Sequence, residues 1–156
     1  MRITIVAVGR GRRGAEQDLF DHYCRRLPWP VRLIEVDERR PLAGPERRAS
    51  EARLLAAKVP AGAITVALDE HGRQVSSTAF ADLMRRWRED GTGDLAFLIG
   101  GADGLGGAAT RDAHMTLSLG AMTWPHLLVR AMLAEQLYRA NAILTGHPYH
   151  RGAPKP

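Results

Sequence analysis

Apolar residues occur along the chain in five short, nearly continuous runs. Each run is rich in Val, Ile or Leu and is followed by a Gly, Pro or charged residue. The runs are Ile3 to Val8, Val31 to Val36, Ile64 to Leu68, Leu95 to Ile99 and Met115 to Leu119. Runs of this length that end in turn residues predict buried β-strands.

Segments with helical spacing of apolar residues separate these runs. They are Ala15 to Leu27, Glu46 to Val59, Ser77 to Glu89, Ala108 to His114 and Leu127 to Leu144. Strict alternation of helices with continuously apolar strands predicts an α/β fold, in which helices cover both faces of a parallel sheet. Because the chain has 156 residues and no internal linker, we expect residues 1–156 to form a single domain.

The last helical segment is apolar on nearly all of its sides. A helix of this kind must be buried on nearly all sides, which a chain of this size achieves most easily through a subunit interface. We therefore expect a homodimer. The alternative is that the segment forms the central helix of a monomer.

The charge and the cysteine content of the chain indicate what kind of partner it binds and in which cellular compartment it works. Lys and Arg number 22 against 17 Asp and Glu, a net charge of +5 that favours an anionic partner such as nucleic acid. Cys24 is the only cysteine, so no intrachain disulfide can form. No run approaches the roughly 18 apolar residues of a membrane span, and the apolar start is too short for a signal peptide. We expect a cytoplasmic protein without a membrane association.

Gly9, Gly11 and Gly14 form the pattern GxGxxG between the first strand and the first helix, and Asp37 closes the second strand. This arrangement is typical of dinucleotide-binding domains. However, Arg10, Arg12 and Arg13 fill a turn that normally presents bare backbone amides to a pyrophosphate. The pattern leaves three interpretations open: a nucleotide site, a basic loop that contacts RNA phosphates, or a plain turn.

Two other strand ends have the composition of ligand sites. Leu98 and Ile99 lead directly into the glycine turn Gly100 to Leu105, and a later strand leads into the segment Leu119 to His126. Ligands bind at the carboxyl ends of parallel strands, where glycine permits close approach of the backbone. The alternatives are a tight turn for the first segment and ordinary core packing for Met122 and Trp124.

Polar residues concentrate near the end of the chain. Glu135 and Arg139 have the spacing of a helix salt bridge. Aromatic and basic residues follow in the sequence Tyr149-His150-Arg151, which suits RNA because bases stack on aromatic or guanidinium planes while Arg holds phosphate. His147 and His150 lack a third ligand at metal-binding spacing, so we predict no metal site.

Several short motifs, taken in their order and spacing, are similar to those of the RlmH family along essentially the whole chain. They are Val6-Ala7-Val8-Gly9, Leu68-Asp69-Glu70-His71-Gly72-Arg73, Leu98-Ile99-Gly100-Gly101, Met122-Thr123-Trp124-Pro125-His126, Val129-Arg130, Glu135 to Ala140, and His147-Pro148-Tyr149-His150-Arg151. The resemblance implies a SPOUT-type fold with a trefoil knot in the carboxyl-terminal part, and a homodimer. It also implies an S-adenosylmethionine-dependent methyltransferase that acts on N3 of a pseudouridine in helix 69 of 23S ribosomal RNA, on assembled ribosomes.

Carried over by position, the resemblance assigns two groups of site residues. The cofactor group consists of Leu68, Gly100, Leu119, Gly120, Ala121, Met122, Thr123 and Trp124. The RNA-binding group consists of Arg130, Arg139, Tyr149, His150 and Arg151. His150 is the candidate general base, because an imidazole titrates near neutral pH.

Two other functions remain as alternatives from different classes. The glycine pattern allows a dinucleotide-dependent oxidoreductase of the Rossmann type, and the basic composition allows a non-catalytic RNA-binding factor. The chain also extends past the family's usual Tyr-His-Arg ending with Gly152 to Pro156.

Overall fold

Strands and helices alternate along the chain in the order that the sequence predicts. The computed structural model describes residues 1–150, so Arg151 lies outside the described residues. The elements are β1 (Arg2–Val8), α1 (Ala15–Cys24), β2 (Val31–Val36), α2 (Gly44–Ala56), β3 (Ile64–Gln74), α3 (Ser77–Glu89), β4 (Asp94–Ile99), α4 (Gly107–Arg111), β5 (Met115–Ser118) and α5 (His126–Thr145).

The five strands form one parallel sheet in the order β2-β1-β4-β3-β5. The helices α1, α3 and α5 pack on one face and α2 and α4 on the other, which confirms the predicted layers. The central strands β1 and β4 are buried on both faces, and this explains their continuous apolar sequences. All carboxyl ends lie at the same edge of the sheet.

Helix α5 packs against both α1 and α3. Its residues Leu133, Ala134 and Leu137 are fully buried in the core of that face. This position between two helices and the sheet accounts for much of the all-round apolar sequence of α5. However, Leu128 and Met132 on α5 remain partly exposed. The predicted homodimer therefore stays a prediction.

Several element boundaries differ from the prediction by a few residues; for example, α4 ends at Arg111 and not at His114. The helices α1 and α2 end about one turn early, before Leu27 and Val59, because their last amide groups bond to the carbonyl three residues back ahead of a proline. Strand β3 is longer than predicted: it pairs with β5 at Leu68 and again at Arg73, with a shift of register between them. The residues 69–72 therefore bulge out at the carboxyl edge.

Candidate functional site

A cleft of about 900 Å³ opens at the carboxyl edge of the sheet. The bulge of β3, the segments that follow β4 and β5 and the first turn of α5 form most of its walls. Its volume falls within the range of small-molecule sites, about 300–1,000 Å³. Seven of the eight predicted cofactor residues line it: Leu68, Gly100, Leu119, Gly120, Met122, Thr123 and Trp124. Ala121 is exposed and does not belong to the lining.

The glycine turn after β4 closes on itself. Gly101 and Gly104 form an isolated antiparallel bridge, and a Cβ atom on Gly100 would lie 2.6 Å from the carbonyl carbon of Gly104. A side chain at Gly100 would therefore displace the backbone of the turn. The segment is a tight turn, and it also forms one wall of the cleft. Its role as a ligand site stays a prediction.

Charged residues that the prediction did not include also line the cleft. Asp69, Glu70 and His71 come from the bulge in β3, and Arg48 comes from α2. The Thr123 hydroxyl donates a hydrogen bond of 3.0 Å to Glu70 Oε2, which joins the bulge to the segment after β5. The sequence signal for Asp69, Glu70 and His71 was a run of polar residues directly after the predicted strand, which ended at Leu68.

His126, at the start of α5, is a further cleft residue that the predicted site omitted. Its imidazole packs on Gly9, where a Cβ atom would lie 3.2 Å from Nε2. Burial and the nearby Arg130 charge lower the pKa of His126, and Glu35 offsets part of this effect. These surroundings therefore favour the neutral form of the imidazole. The sequence signal that could have identified His126 is its position directly after Pro125, in the motif that leads into α5.

The turn with Gly9, Gly11 and Gly14 contains no free anion site at its centre. The Gly11 amide donates to the Glu35 carboxylate, which takes the position that a pyrophosphate would need. In addition, β3 lies beyond β4 and not beside β2, unlike the strand order of a Rossmann domain. The nucleotide-site interpretation of this turn, and the oxidoreductase hypothesis based on it, are therefore wrong.

The structure also corrects the expectation for Arg130. Its side chain is only 2% exposed, and its guanidinium donates to the Glu35 carboxylate and to the carbonyls of Val8 and Gly9. A guanidinium in this position cannot contact RNA directly in the described chain. Arg130 instead ties α5 to the ends of β1 and β2.

Three of the other predicted RNA-binding residues, Arg139, Tyr149 and His150, form a cluster at the carboxyl end of α5, and Arg151 lies outside the described residues. The Tyr149 hydroxyl bonds to Glu135 at 3.0 Å and to Tyr23 at 3.1 Å, and the Arg139 guanidinium lies 4.9 Å from the centre of the Tyr149 ring. Arg139 also forms the predicted salt bridge with Glu135. Burial, together with these two hydrogen bonds, raises the pKa of Tyr149. The cluster is thus a packed structure and not a loose tail.

The two groups of predicted residues are well separated within one chain. His150 lies 3.5 Å from the Arg139 guanidinium, in the second half of α5. The cleft instead contacts the first turn of α5, where His126 lines it. Along α5, Val129 is the last cleft residue and precedes Arg139 by ten positions, which corresponds to about 15 Å along the helix axis. The candidate base and the candidate cofactor cleft of a single chain therefore do not meet.

Other chemistries find little support in the described part of the chain. Burial, with a smaller effect of Asp21, raises the pKa of Cys24 to about 12, so the thiol is a poor nucleophile. Within residues 1–150, no three metal-binding side chains come together. The helices in this range are also too short or too polar to span a bilayer.

Comparison with known proteins adds three findings. A sequence profile described as "Predicted SPOUT methyltransferase" matches residues 1–150. The ribosomal RNA large subunit methyltransferase H of Paramagnetospirillum magneticum is 61% identical over 151 residues, which cover 97% of this chain and 99% of that protein. The protein of the same name from Rhodospirillum centenum is 55% identical with the same coverage.

Among solved structures, a probable methyltransferase from Bordetella pertussis aligns with a TM-score of 0.59 at 19% identity, over 89% of this chain and 95% of that one. A probable methylase family protein from Haemophilus influenzae aligns with a TM-score of 0.58 at 12% identity, over 98% of this chain and 72% of that one. At these identities the likeness shows a shared fold.

Proposed function

The chain belongs to the SPOUT methyltransferase family, and from this premise we propose that it methylates N3 of a pseudouridine in helix 69 of 23S ribosomal RNA. The methyl donor is S-adenosylmethionine and the substrate is the assembled ribosome. The observation that carries this proposal is the full-length similarity to relatives named ribosomal RNA large subunit methyltransferase H.

The cleft fits S-adenosylmethionine in size and chemistry. Leu68, Leu119 and Trp124 offer apolar surface for an adenine ring, and the glycine turn offers backbone groups for its polar edge. Arg48 and Glu70 provide opposite charges for the zwitterionic amino-acid part. When bound, S-adenosylmethionine supplies an electrophilic methyl group. The protein then has mainly to orient the pseudouridine and to exclude water.

The proton on N3 must pass to a base before or during the transfer. We keep His150 as the proposed acceptor. Its neighbour Arg139 lies about 15 Å along α5 from Val129, the last cleft residue on that helix, so we infer that His150 reaches the cleft of a second subunit. His126 is the competing acceptor, since it lines the cleft and its lowered pKa favours the neutral form.

A homodimer would meet this requirement, and the exposure of four apolar residues near the cleft supports it. Met122 is 71% exposed and Trp124 is 38% exposed beside the cleft, while Leu128 and Met132 continue the apolar surface onto α5. Exposed apolar residues grouped in this way mark interaction surfaces. We infer that this surface forms the dimer interface and that the segment after β5 is part of the family's trefoil knot.

The decisive experiment measures methyl transfer from labelled S-adenosylmethionine to ribosomes from a bacterium that lacks the modification. We expect labelling of the pseudouridine and none when the target uridine has not been isomerised. Equal labelling of unmodified uridine would refute the substrate. Absence of S-adenosylhomocysteine binding in calorimetry would favour the non-catalytic RNA-binding alternative.

Mixed dimers test the shared site. A chain with His150→Asn and a chain with Leu119→Arg should each be inactive alone, and an equal mixture should recover about a quarter of the activity if each site uses both subunits. Recovery requires that His150 acts across the interface. If His150→Asn keeps kcat while His126→Asn loses it, His126 is the base.

A further inference from the structure

The three arginines of the glycine-pattern turn belong to a larger basic surface at the mouth of the cofactor cleft. Arg10, Arg12 and Arg13 lie between β1 and α1, Arg39 follows β2, and Arg48 lies in the first turns of α2. The first four are exposed and Arg48 is partly exposed. We call these five residues the arginine rim.

The arginine rim lies beside the mouth of the cleft. Arg48 itself lines the cleft. The turn with Arg10 begins at Gly9, which packs against His126 of the cleft lining. Because the carboxyl ends of β1 and β2 are adjacent in the sheet, Arg39 emerges at the same edge. The rim therefore extends from the cleft towards the β2 side of the molecule.

Contacts within the protein hold the turn but leave its charges available. The Gly11 amide bonds to Glu35, and Arg130 donates to the Gly9 carbonyl at 2.8 Å, so the backbone of the turn is fixed from below. Among residues 1–150, Arg12, Arg13, Arg39 and Arg48 form no salt bridge, and Arg10 only approaches Asp37 at 4.0 Å.

We propose that the arginine rim binds the phosphate backbone of the RNA that flanks the target nucleotide. This proposal rests on the proposed function, since the cleft fixes where the target base must enter. Exposed guanidinium groups with free donors bind phosphate in pairs of hydrogen bonds. Such contacts fix the position of the RNA without reading its sequence. The rim therefore sets substrate affinity, whereas the cleft performs the chemistry.

The test compares two charge reversals of equal size at opposite edges of the sheet. The variant Arg12→Glu/Arg13→Glu changes the rim. The control Arg86→Glu/Arg88→Glu changes two exposed arginines in the last turn of α3, near the amino end of β4. Both variants lower the net charge by the same amount, so a difference between them reports location and not total charge.

We expect the rim variant to raise KM for ribosomes about 10-fold or more and to reduce the dependence of ribosome binding on salt by about one unit of logarithmic slope per lost contact. Its kcat and its affinity for S-adenosylhomocysteine should stay within about 2-fold of the wild type, because neither residue lines the cleft. The control should change KM by less than about 2-fold.

Three results would overturn the proposal: an unchanged KM in the rim variant, an equal rise in both variants, or a loss of kcat at unchanged KM. Failure of the proposed function has a different signature. In that case the wild type transfers no methyl group to ribosomes, and direct ribosome-binding measurements on both variants still decide whether the rim binds RNA.

Discussion

Removing Glu35 should destabilise the protein more than its partly exposed position suggests. Its carboxylate is the anionic partner of Arg130, whose side chain is 2% exposed, while that of Glu35 is 32% exposed. With Glu35→Leu, the buried guanidinium keeps only the Val8 and Gly9 carbonyls as partners. The Arg130 Nε already lacks a partner among the described atoms.

The expected cost follows from this asymmetry. A buried charge that loses its partner costs about 3–5 kcal/mol, and we assign this range to Glu35→Leu. With Arg130→Met, the partly exposed Glu35 regains water and keeps the Gly11 amide, so the loss is closer to the value of charged hydrogen bonds, about 1.5–3 kcal/mol. The double variant should cost less than the sum, with a coupling of about 0.5–3 kcal/mol.

Urea unfolding of the wild type, both single variants and the double variant measures these free energies directly. A cost for Glu35→Leu below about 1 kcal/mol, or strictly additive effects, would show that the buried guanidinium does not depend on Glu35. In that case the assignment of Arg130 as the tie between α5 and the sheet would be wrong.

The same pair predicts a dependence on pH. Burial raises the pKa of Glu35, but the Gly11 amide and the Arg130 guanidinium outweigh it and hold the pKa below its ordinary value of 4.5. A carboxylate whose pKa is lowered by folding adds stability above its ordinary pKa, and this stability is lost as the pH falls through the folded value. The stability difference between wild type and Glu35→Gln should therefore shrink below about pH 4.

Three further outcomes follow from the contacts described. Gly100→Ala should weaken S-adenosylhomocysteine binding at least about 10-fold in calorimetry, because its Cβ overlaps the Gly104 backbone, whereas Gly93→Ala meets nothing within 4 Å and should be neutral. Cys24 should react with iodoacetamide at pH 8 about 100-fold or more slowly than a free thiol until urea unfolds the chain, since its pKa is raised to about 12. Tyr149→Phe should lower the unfolding free energy by about 1 kcal/mol through loss of its hydrogen bonds to Glu135 and Tyr23, and an unchanged melting temperature would contradict the packed cluster.

The order of helices and strands along the chain could be predicted because a buried strand has a continuously apolar local sequence. The run from Ile3 to Val8 is continuously apolar since β1 is covered on both faces. The order of the strands within the sheet could not be predicted in this way, because the connections from β2 to β3 and from β4 to β5 pass over other strands. Apolar periodicity reports that a strand is buried but not which strand lies beside it. The bulge at 69–72 could not be predicted for a related reason: it depends on how β3 pairs with β5.

Residues that line the cleft could be predicted where a strand ends, but not where a residue distant in sequence determines the surroundings. Gly11 and its neighbours matched a nucleotide fingerprint because the pattern describes the backbone of a turn, but the Glu35 carboxylate, supplied by the next strand, occupies its anion position. The family resemblance implied that Arg130 lies at the RNA side, yet the packing of α5 buries it against that same carboxylate. Both errors have the same physical cause, the Glu35 carboxylate, which binds the Gly11 amide and the Arg130 guanidinium. Since Glu35 and Arg130 satisfy each other and the backbone of the turn, the guanidinium groups of Arg12 and Arg13 stay outside this network, exposed beside the cleft and available to phosphate.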